Sequence, residues 1–318
     1  MSHALIIADI EGITGIFSWD DIENDVKLYT QEIEVYIEAL LRHGVNKITV
    51  CDSHNAGDLI DPKITKMGAN IRLFSKMDSI PHDEKYDFAL LVGFHGMSGS
   101  WGILSHSMRF DIKEVAIVDP KSGLHIPIGE VELTTRWLGS YDIPVILVTG
   151  DREAAYEANL FNPYRHTCCV KSLLQTDLYD ISKLYDKLFY NLYCSLQLDK
   201  KLCLSPDDNE IVVKFHNPDI TQALADKGYT KKDDQLLFKN CADLFNKLYP
   251  ITSYLNELNK EIRNVNMAFL HEVRKLVKTL KKEDLAESDI GHLLKKNLFF
   301  LDAASREKII EKIRALIG

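Results

Sequence analysis

The sequence predicts an α/β protein with a mostly parallel, open sheet and helices on both faces, followed by a smaller α+β and helical C-terminal part. Two observations predict this class. Up to about residue 170, short apolar runs of strand length alternate with longer segments of helical periodicity. Beyond that point, helical patterns rich in Lys and Glu dominate, with one candidate strand pair. We therefore divide the chain into a first domain, residues 1–170, and a C-terminal region, residues 171–318.

The first elements predict one strand–helix–strand unit. The apolar run Leu5–Ala8 is typical of a buried strand. Over Val26–His43, apolar residues recur at helical spacing, and Gly44 stands where a helix C-cap is expected. The run Lys47–Cys51 predicts the second strand. Because a helix connects them, the two strands are expected to pair in parallel.

The remaining elements are predicted by the same patterns. Helices are expected to begin near Glu130 and Asp151, and Asp119–Gly123 has the composition of a hairpin turn. The other strands that we expect in the sheet of the first domain are Ile71–Phe74, Phe88–Val92, Glu114–Val118 and Val145–Val148. For the C-terminal region we predict a helix over Leu173–Leu196, paired strands at Ile211–Phe215 and Gln235–Phe238, and helices from Asp243 onward.

Composition and charge exclude several classes of protein. The 318 residues are 46% hydrophobic and 27% charged, which is the balance of a folded globular chain. The formal charge of −9 has the opposite sign to that of a general nucleic-acid binder, so we expect no nucleic-acid partner. No apolar run approaches the roughly 20 residues of a membrane helix, and the N-terminus lacks the basic segment of a signal peptide. Six irregularly spaced cysteines predict reduced thiols, so we expect a cytoplasmic protein without a membrane partner.

Acidic and imidazole side chains follow the predicted strands at the points where those strands end. In a parallel sheet the carboxyl ends of the strands meet at one edge, where active-site groups collect. Two more such residues come from the loop and the helix start that follow the strand at Phe88. The residues concerned are Asp9, Glu11, Asp52, His54, His95, His106 and Glu130.

Imidazoles and carboxylates from separate strand ends are the ligands that zinc and similar divalent ions prefer. Asp9 and Glu11, two residues apart, would share one face of a continuing strand. Three histidines with three carboxylates suit a two-metal centre better than one structural zinc. Two of these residues also have a simpler, structural interpretation. Asp52 would cap the following loop, and Glu130 would complement the N-terminus of a helix.

Five short motifs, in order between residues 4 and 160, indicate a known family. Each motif is common alone, but their order and most of their spacing resemble the zinc D-aminopeptidase family. The segment Asp142–Ala155 is also similar to that family. The motifs are D-x-E-G at Asp9–Gly12, D-S-H at Asp52–His54, G-[FY]-H at Gly93–His95, S-H-S-M at Ser105–Met108 and G-E at Gly129–Glu130.

The resemblance implies a hydrolase that releases N-terminal D-amino acids from short peptides with two zinc ions per chain. Mn²⁺ and Co²⁺ would fit the same kind of ligands. It implies that His106 is catalytic, and that the assembly is a ring-shaped homo-oligomer, with a decamer as one candidate. The first domain would then bind the metals, and residues 171–318 would form oligomer contacts, a lid or a helical cover. The metal ligands that the resemblance implies are Asp9, Glu11, His54, His95 and Glu130.

This sequence departs from the family pattern in two places. The stretch between His106 and Glu130 is longer, with a predicted hairpin around Lys121–His125. The lysine-rich helical tail beyond residue 250 also differs. We therefore expect substrate access and assembly to differ in detail from those of the family.

Two other functions remain open at this stage. A magnesium-dependent phosphatase of the haloacid-dehalogenase type has D-x-D-G-[TV] after its first strand, and Asp9–Thr14 comes close to it. However, Glu11 replaces the second Asp of that motif, and the phosphatase mechanism has no use for the three histidines. A non-catalytic zinc- or peptide-binding protein is the other alternative, although binding alone does not require His106.

Overall fold

The computed structural model describes residues 2–54, 57–172, 181–277 and 301–317. Strands and helices alternate through the first half of this range, and helices dominate its end. In chain order the strands are β1 (His3–Ala8), β2 (Lys47–Asp52), β3 (Ile71–Ser75), β4 (Phe88–Phe94), β5 (Ile112–Val118), β6 (His125–Pro127), β7 (Val145–Asp151), β8 (His166–Lys171), β9 (Ile211–Phe215), β10 (Lys231–Lys232) and β11 (Gln235–Phe238). The helices are α1 (Trp19–Asn24), α2 (Lys27–Arg42), α3 (Glu130–Gly139), α4 (Arg152–Phe161), α5 (Ile181–Leu196), α6 (Pro218–Ala225), α7 (Cys241–Leu248), α8 (Thr252–Val277) and α9 (Ala303–Ile317).

The first sheet has six strands in the order β3-β2-β1-β4-β7-β8, and every neighbouring pair is parallel. The predicted strand–helix–strand unit is confirmed, because β1 and β2 pair in parallel from His3 opposite Lys47. The longer helix between them, α2, ends at Arg42 with His43 as its C-cap, and Gly44 follows with φ of +80°. The strand order reverses beside β1, and that is the place where ligands bind in sheets of this kind.

Helices cover both faces of this sheet, as the sequence predicts. Side chains alternate along β1: Ile6 packs into one core cluster, and Leu5 and Ile7 pack into the other. The cluster that contains Ile6 also contains buried side chains of α2 and α5. The other cluster contains buried side chains of α3 and α4 together with those of a second sheet. The parallel sheet is therefore the middle layer, and both of its faces are buried.

The second sheet is antiparallel, with strand order β10-β11-β9-β5-β6. It confirms the predicted pair of Ile211–Phe215 with Gln235–Phe238 and the hairpin after Asp119. It also corrects one prediction, because the strand predicted at Glu114–Val118 belongs to this sheet and not to the parallel one. An apolar run predicts burial of a strand but does not identify its partner. The second sheet joins strands from both sides of residue 170, and the division of the chain there stays a prediction.

The C-terminal helices complete the described part of the chain. The helix predicted at Leu173–Leu196 is described from Ile181, and residues 173–180 lie outside the described residues. Leu255 and Ile262 of α8 are buried in the core cluster of the second sheet. Among the helices that the structure describes, none is long and apolar enough to cross a membrane.

Candidate metal centre

The structure brings together six of the seven acidic and imidazole residues that the sequence analysis selected at and after the ends of the predicted strands. Asp9 and Glu11 follow β1, His54 follows β2, and His95 follows β4. Glu130 begins α3, and His106 lies in the loop between β4 and β5. Three overlapping groups of these side chains have ligand atoms within 4.8 Å of one another. The groups are Asp9, Glu11 and His54; Asp9, His95 and Glu130; and Glu11, His95 and His106.

Two glycines let the ends of β1 and β4 approach each other closely. The Gly12 amide donates a hydrogen bond to the Gly93 carbonyl over 2.7 Å. A Cβ atom on Gly12 would collide with the carbonyl oxygen of Phe94, and one on Gly93 would collide with that of Asp9. Gly93 also has φ of +75°, which side-chain-bearing residues rarely adopt. The glycines of the two sequence motifs therefore set the spacing between the loops that carry Glu11 and His95.

His54 and two carboxylates form the first group. Its Nδ1 lies 2.8 Å from Oε2 of Glu11 and 3.4 Å from Oδ1 of Asp9. All three side chains are buried. The end of β2 is held beside β1 by Ser53, whose hydroxyl donates to the Ala8 carbonyl over 2.7 Å.

His95 forms the second group, with the other oxygen of Asp9. Its Nδ1 lies 2.9 Å from the Gly96 carbonyl, which can only accept, so Nδ1 carries the donated proton. Its Nε2 lies 3.4 Å from Oδ2 of Asp9 and 3.3 Å from Oε1 of Glu130. Asp9 therefore points one oxygen at each histidine.

Two buried atoms in this group lack a hydrogen-bond partner among the described residues: Oδ2 of Asp9 and Nε2 of His95. In a neutral His95 ring, Nε2 is a hydrogen-bond acceptor, and it faces two carboxylate oxygens, Oδ2 of Asp9 and Oε1 of Glu130, which are also acceptors. Such an arrangement of buried acceptors is unfavourable unless a cation lies between them or the ring is protonated. The donor set of imidazole nitrogen and carboxylate oxygen matches zinc and similar divalent ions. The residues present therefore fit a metal site.

The same contacts shift the pKa values of His54 and His95. Burial lowers the pKa of His54, but the hydrogen bonds that its ring donates to the carboxylates of Asp9 and Glu11 outweigh that effect and raise its pKa to about 10. Burial also opposes the charged form of His95, whose pKa is raised to about 10 by Glu130 and Asp9. Without a metal, the two rings would thus be held as cations by the carboxylates. A divalent ion would replace those protons.

His106 differs from the other two histidines in its electrostatics. Its Nδ1 donates to the Leu104 carbonyl over 2.9 Å, and its Nε2 lies 3.9 Å from Glu11 and 3.8 Å from Glu130. The ring stacks on His95 with centroids 4.2 Å apart and on Phe110 at 4.6 Å. Burial and the nearby charge of His95 lower the pKa of His106. A neutral, stacked imidazole at the edge of the site can accept a proton near neutral pH.

Asp52 anchors the loop that follows β2. Its two oxygens accept hydrogen bonds from the Leu59 and Ile60 amides, from the His54 amide and from the Tyr29 hydroxyl. These contacts fit the loop-capping interpretation of Asp52. The position of His54 depends on this loop.

Three buried residues that the sequence analysis did not select hold the other loops of the site. Asp151 accepts hydrogen bonds from the Gly96 and Ile103 amides. Glu157 accepts from the amides of Gly129 and Glu132 at the start of α3, and burial raises its pKa to about 7.

Lys171, the third of these residues, is in direct contact with the loop that carries Glu11. It ends β8, its side chain is fully buried, and it donates hydrogen bonds to the carbonyls of Glu11 and Ile16. It therefore fixes the loop that carries Glu11. Its place at a strand end is the same signal that selected the other residues.

A cavity of about 1210 Å³ opens beside five of the six side chains. Asp9, Glu11, His54, His106 and Glu130 line its metal-site end. Its other walls come from the segment after His106 and from the start of α8. The volume exceeds the roughly 300–1,000 Å³ of ordinary small-ligand pockets, so an extended molecule would fit.

Comparison with known proteins gives three findings. The family described as Peptidase_M55, D-aminopeptidase, matches residues 3–225, which is more than half of the chain. The D-aminopeptidase of Bacillus subtilis (strain 168) is 28% identical over 178 residues, which cover 52% of this chain and 62% of that protein. The match thus spans less than two thirds of that relative. The fold is similar to that of the Zn-dependent D-aminopeptidase DppA from Bacillus subtilis, a self-compartmentalizing protease, with a TM-score of 0.68 and 24% identity over 79% of this chain and 97% of that one.

Proposed function

This chain belongs to the Peptidase_M55 family of D-aminopeptidases, and from that premise we propose that it is a di-zinc aminopeptidase acting on short peptides with an N-terminal D-amino acid. The observation that carries the proposal is the convergence of buried histidines and carboxylates, in which Oδ2 of Asp9 and Nε2 of His95 lack a hydrogen-bond partner, at a cavity that could hold a peptide. The family, the D-aminopeptidase of Bacillus subtilis and the zinc dependence of DppA agree with it.

Two ions would be held by five side chains. Asp9, Glu11 and His54 would hold one ion, and Asp9, His95 and Glu130 would hold the other. Asp9 would serve both, because its two oxygens face different histidines. Bound divalent ions supply Lewis acidity, which lowers the pKa of water and polarises an amide carbonyl. Mn²⁺ or Co²⁺ could take the place of zinc on this ligand set.

The chain's own residues would supply the rest of the chemistry. His106 would accept, at Nε2, a proton from the water that attacks the scissile carbonyl, and would then donate it to the departing amine as the C–N bond breaks. The Gly93 and Gly12 backbones fix the distance between the ligand loops, and Lys171 fixes the backbone of Glu11. The Met108 amide, which donates to Glu130 over 2.7 Å, aims that carboxylate at His95.

We also infer a homo-oligomer. DppA is described as self-compartmentalizing, and the resemblance implies a ring-shaped assembly, with a decamer as one candidate. The cytoplasm would suit such an enzyme, because its cysteines are free thiols. Sedimentation of the zinc-loaded protein measures the number of chains.

The experiment that tests the function is metal analysis beside an amide-hydrolysis assay with D-Ala and L-Ala p-nitroanilides and dipeptides. We expect about two zinc ions per chain and D-selective cleavage that a chelator abolishes. Zinc without turnover would favour a non-catalytic metal-binding protein. Magnesium-dependent release of phosphate from p-nitrophenyl phosphate would favour the phosphatase, although three histidines converge on this site and that mechanism uses none of them.

A further inference from the structure

Two exposed aromatic side chains, Trp19 and Phe110, line the cavity beside the candidate metal centre. Trp19 is 42% exposed and Phe110 is 61% exposed, although the rings of large aromatic residues are mostly buried in folded proteins. Their ring centroids lie 5.0 Å apart at an interplanar angle of 80°, so the edge of one ring meets the face of the other. This aromatic pair is therefore a continuous apolar surface in a cavity that is lined mostly by polar and charged side chains.

The aromatic pair lies against His106. The Phe110 ring stacks on the His106 ring, with centroids 4.6 Å apart and an interplanar angle of 24°. The Trp19 ring meets the His106 ring edge-on, with centroids 6.1 Å apart. A side chain bound by the aromatic pair would therefore lie beside the imidazole that we propose as the proton-transfer group.

Local contacts fix Trp19, although its helix contributes nothing to the core. Helix α1 has no buried side chain, and Trp19 is its first residue. The Asp21 carboxylate accepts hydrogen bonds from the amides of Phe17 and Ser18, each over 2.8 Å. The Ser18 hydroxyl in turn accepts one from the Asp21 amide. Core packing therefore does not account for a tryptophan at this position, whereas a binding surface in the cavity does.

We propose that Trp19 and Phe110 bind an apolar side chain of the residue that follows the scissile bond. This rests on the proposed function, in which His106 donates a proton to the departing amine and so lies beside the residue that carries this amine. Contact with the aromatic rings would remove the apolar side chain from water, which stabilises the complex. A polar side chain of the same size would lose hydrogen bonds to water at this surface.

Two pairs of dipeptides test the proposal in a hydrolysis assay with the zinc-loaded, full-length protein. Leucine and asparagine are similar in size and differ in polarity, so each pair compares them at one position. The first pair is D-Ala-L-Leu and D-Ala-L-Asn, and the second pair is D-Leu-L-Ala and D-Asn-L-Ala. We expect kcat/KM for D-Ala-L-Leu to be at least about tenfold above that for D-Ala-L-Asn, a discrimination that an apolar pocket can provide.

The variant Trp19→Ala should lose most of this preference, so that the ratio of the two kcat/KM values falls at least about fivefold. Trp19 is partly exposed and α1 has no buried side chain, so the fold should tolerate the change. Trp19→Phe keeps an aromatic ring at this position and should keep most of the preference. The matched control is Trp101→Ala, which removes a tryptophan that is 85% exposed and does not line this cavity, and it should keep the wild-type ratio.

Four results would overturn the proposal. The first is equal kcat/KM for D-Ala-L-Leu and D-Ala-L-Asn in the wild type. The second is an equal loss for both dipeptides in Trp19→Ala, since Trp19 would then support the site without selecting a side chain. The third is a preference that depends on Trp19 only in the second pair, which would place the N-terminal residue on the aromatic rings. The fourth is an unchanged ratio with altered sedimentation, which would assign Trp19 to a contact between copies of the chain.

Failure of the proposed function is a separate outcome. If the zinc-loaded protein hydrolyses none of the four dipeptides, the aminopeptidase assignment fails. The same dipeptides are then titrated calorimetrically into the intact wild type and Trp19→Ala. Tighter binding of D-Ala-L-Leu than of D-Ala-L-Asn, lost in Trp19→Ala, would support the aromatic binding surface. Equal binding of the two dipeptides, or none, would overturn it.

Discussion

His95 and His106 are stacked rings for which we propose different tasks, and two substitutions test that proposal. Nε2 of His95 faces Asp9 and Glu130 at 3.3–3.4 Å, whereas Nε2 of His106 lies 3.8 Å or more from the nearest carboxylate. We expect His95→Ala to lose zinc and activity together. We expect His106→Ala to keep its zinc but to lose turnover about 10²–10⁴-fold, the range for a lost proton-transfer group.

Zinc content by elemental analysis and kcat on a D-Ala dipeptide check this pair of substitutions. His43→Ala is a suitable control, because that histidine caps α2 before the start of β2, at the edge of the sheet opposite the strand ends that carry the site, and its ring packs against Phe189 and Tyr193. Normal turnover by His106→Ala would remove His106 from the mechanism. Full zinc content in His95→Ala would remove His95 from the ligand set.

Lys171 is expected to position Glu11. Its buried ammonium donates to the carbonyls of Glu11 and Ile16, so Lys171→Met would leave both carbonyls without that donor. We expect a loss of about 2–4 kcal/mol in the free energy of unfolding and weaker zinc binding. Denaturant titration and competition with a zinc chelator measure the two effects.

Lys187→Met provides the matched control for this substitution. Lys187 also donates to a backbone carbonyl, that of Cys169, but it lies on the exposed face of α5. It should change unfolding by less than about 1 kcal/mol and leave zinc affinity unchanged. Unchanged zinc affinity in Lys171→Met would show that Lys171 stabilises the fold without positioning Glu11.

For single residues, the sequence predicts which side chains lie at the ends of strands, but not which residues far away in the sequence they contact. Asp9, His54 and His95 follow apolar runs, so their common edge could be inferred before any coordinates. Lys171 ends a strand that contains His166 and Thr167 and therefore has a weaker apolar pattern. Its contact with Glu11 spans 160 residues of sequence, and no local pattern contains that information.

Five of the six parallel strands were predictable because strands buried on both faces are continuous apolar runs, whereas the sixth, β8, has a weaker apolar pattern. The second sheet was less predictable, because β5 has the same kind of run and its partner β9 lies about a hundred residues later. The short helix α1 was not predicted. None of the described side chains of this helix is buried, so no apolar pattern marks it. It is stabilised by a capping box between Ser18 and Asp21.

Glu84 ties two strands of the parallel sheet together at the edge opposite the metal centre. It accepts two hydrogen bonds from Arg72 of β3, at 2.6 and 2.7 Å, and one from Lys47 of β2 at 3.1 Å. The Arg72 guanidinium and then the Lys47 ammonium lower the pKa of Glu84 to about 2. A carboxyl whose pKa is lowered on folding stabilises the protein above the unfolded pKa, about 4.5, and that contribution is lost as the pH falls toward 2.

We therefore expect Glu84→Gln to reduce the free energy of unfolding by about 1 kcal/mol at pH 7. The difference from the wild type should shrink as the pH falls from 4.5 toward 2. Denaturant titration at pH 7, 4 and 3 measures it, with Glu38→Gln as the control, since Glu38 pairs with Arg42 on an exposed helix surface. A difference that is constant with pH would contradict this origin.

Over the whole molecule, the proposed ligand set would couple metal binding to folding through the protons of His54 and His95. The pKa of each is raised from 6.5 to about 10 by neighbouring carboxylates in the metal-free protein. A raised histidine pKa stabilises the fold fully below pH 6.5, and the effect is lost as the pH rises through 10. Zinc would bind the ring nitrogens of His54 and His95 only after they lose the protons that face the carboxylates. The affinity for zinc should therefore rise as the pH rises.

The zinc-dependent increase in stability should therefore grow as the pH rises from 6 to 9. At free zinc about a thousand times its dissociation constant, the increase is about 4 kcal/mol, which corresponds to a shift of several degrees in Tm. Calorimetry in buffers of different ionisation enthalpy should register about two protons released per chain at pH 7–8, and one fewer in His54→Gln. A zinc effect that is independent of pH, or no proton release, would mean that the carboxylates do not hold these two rings as cations before the metal binds.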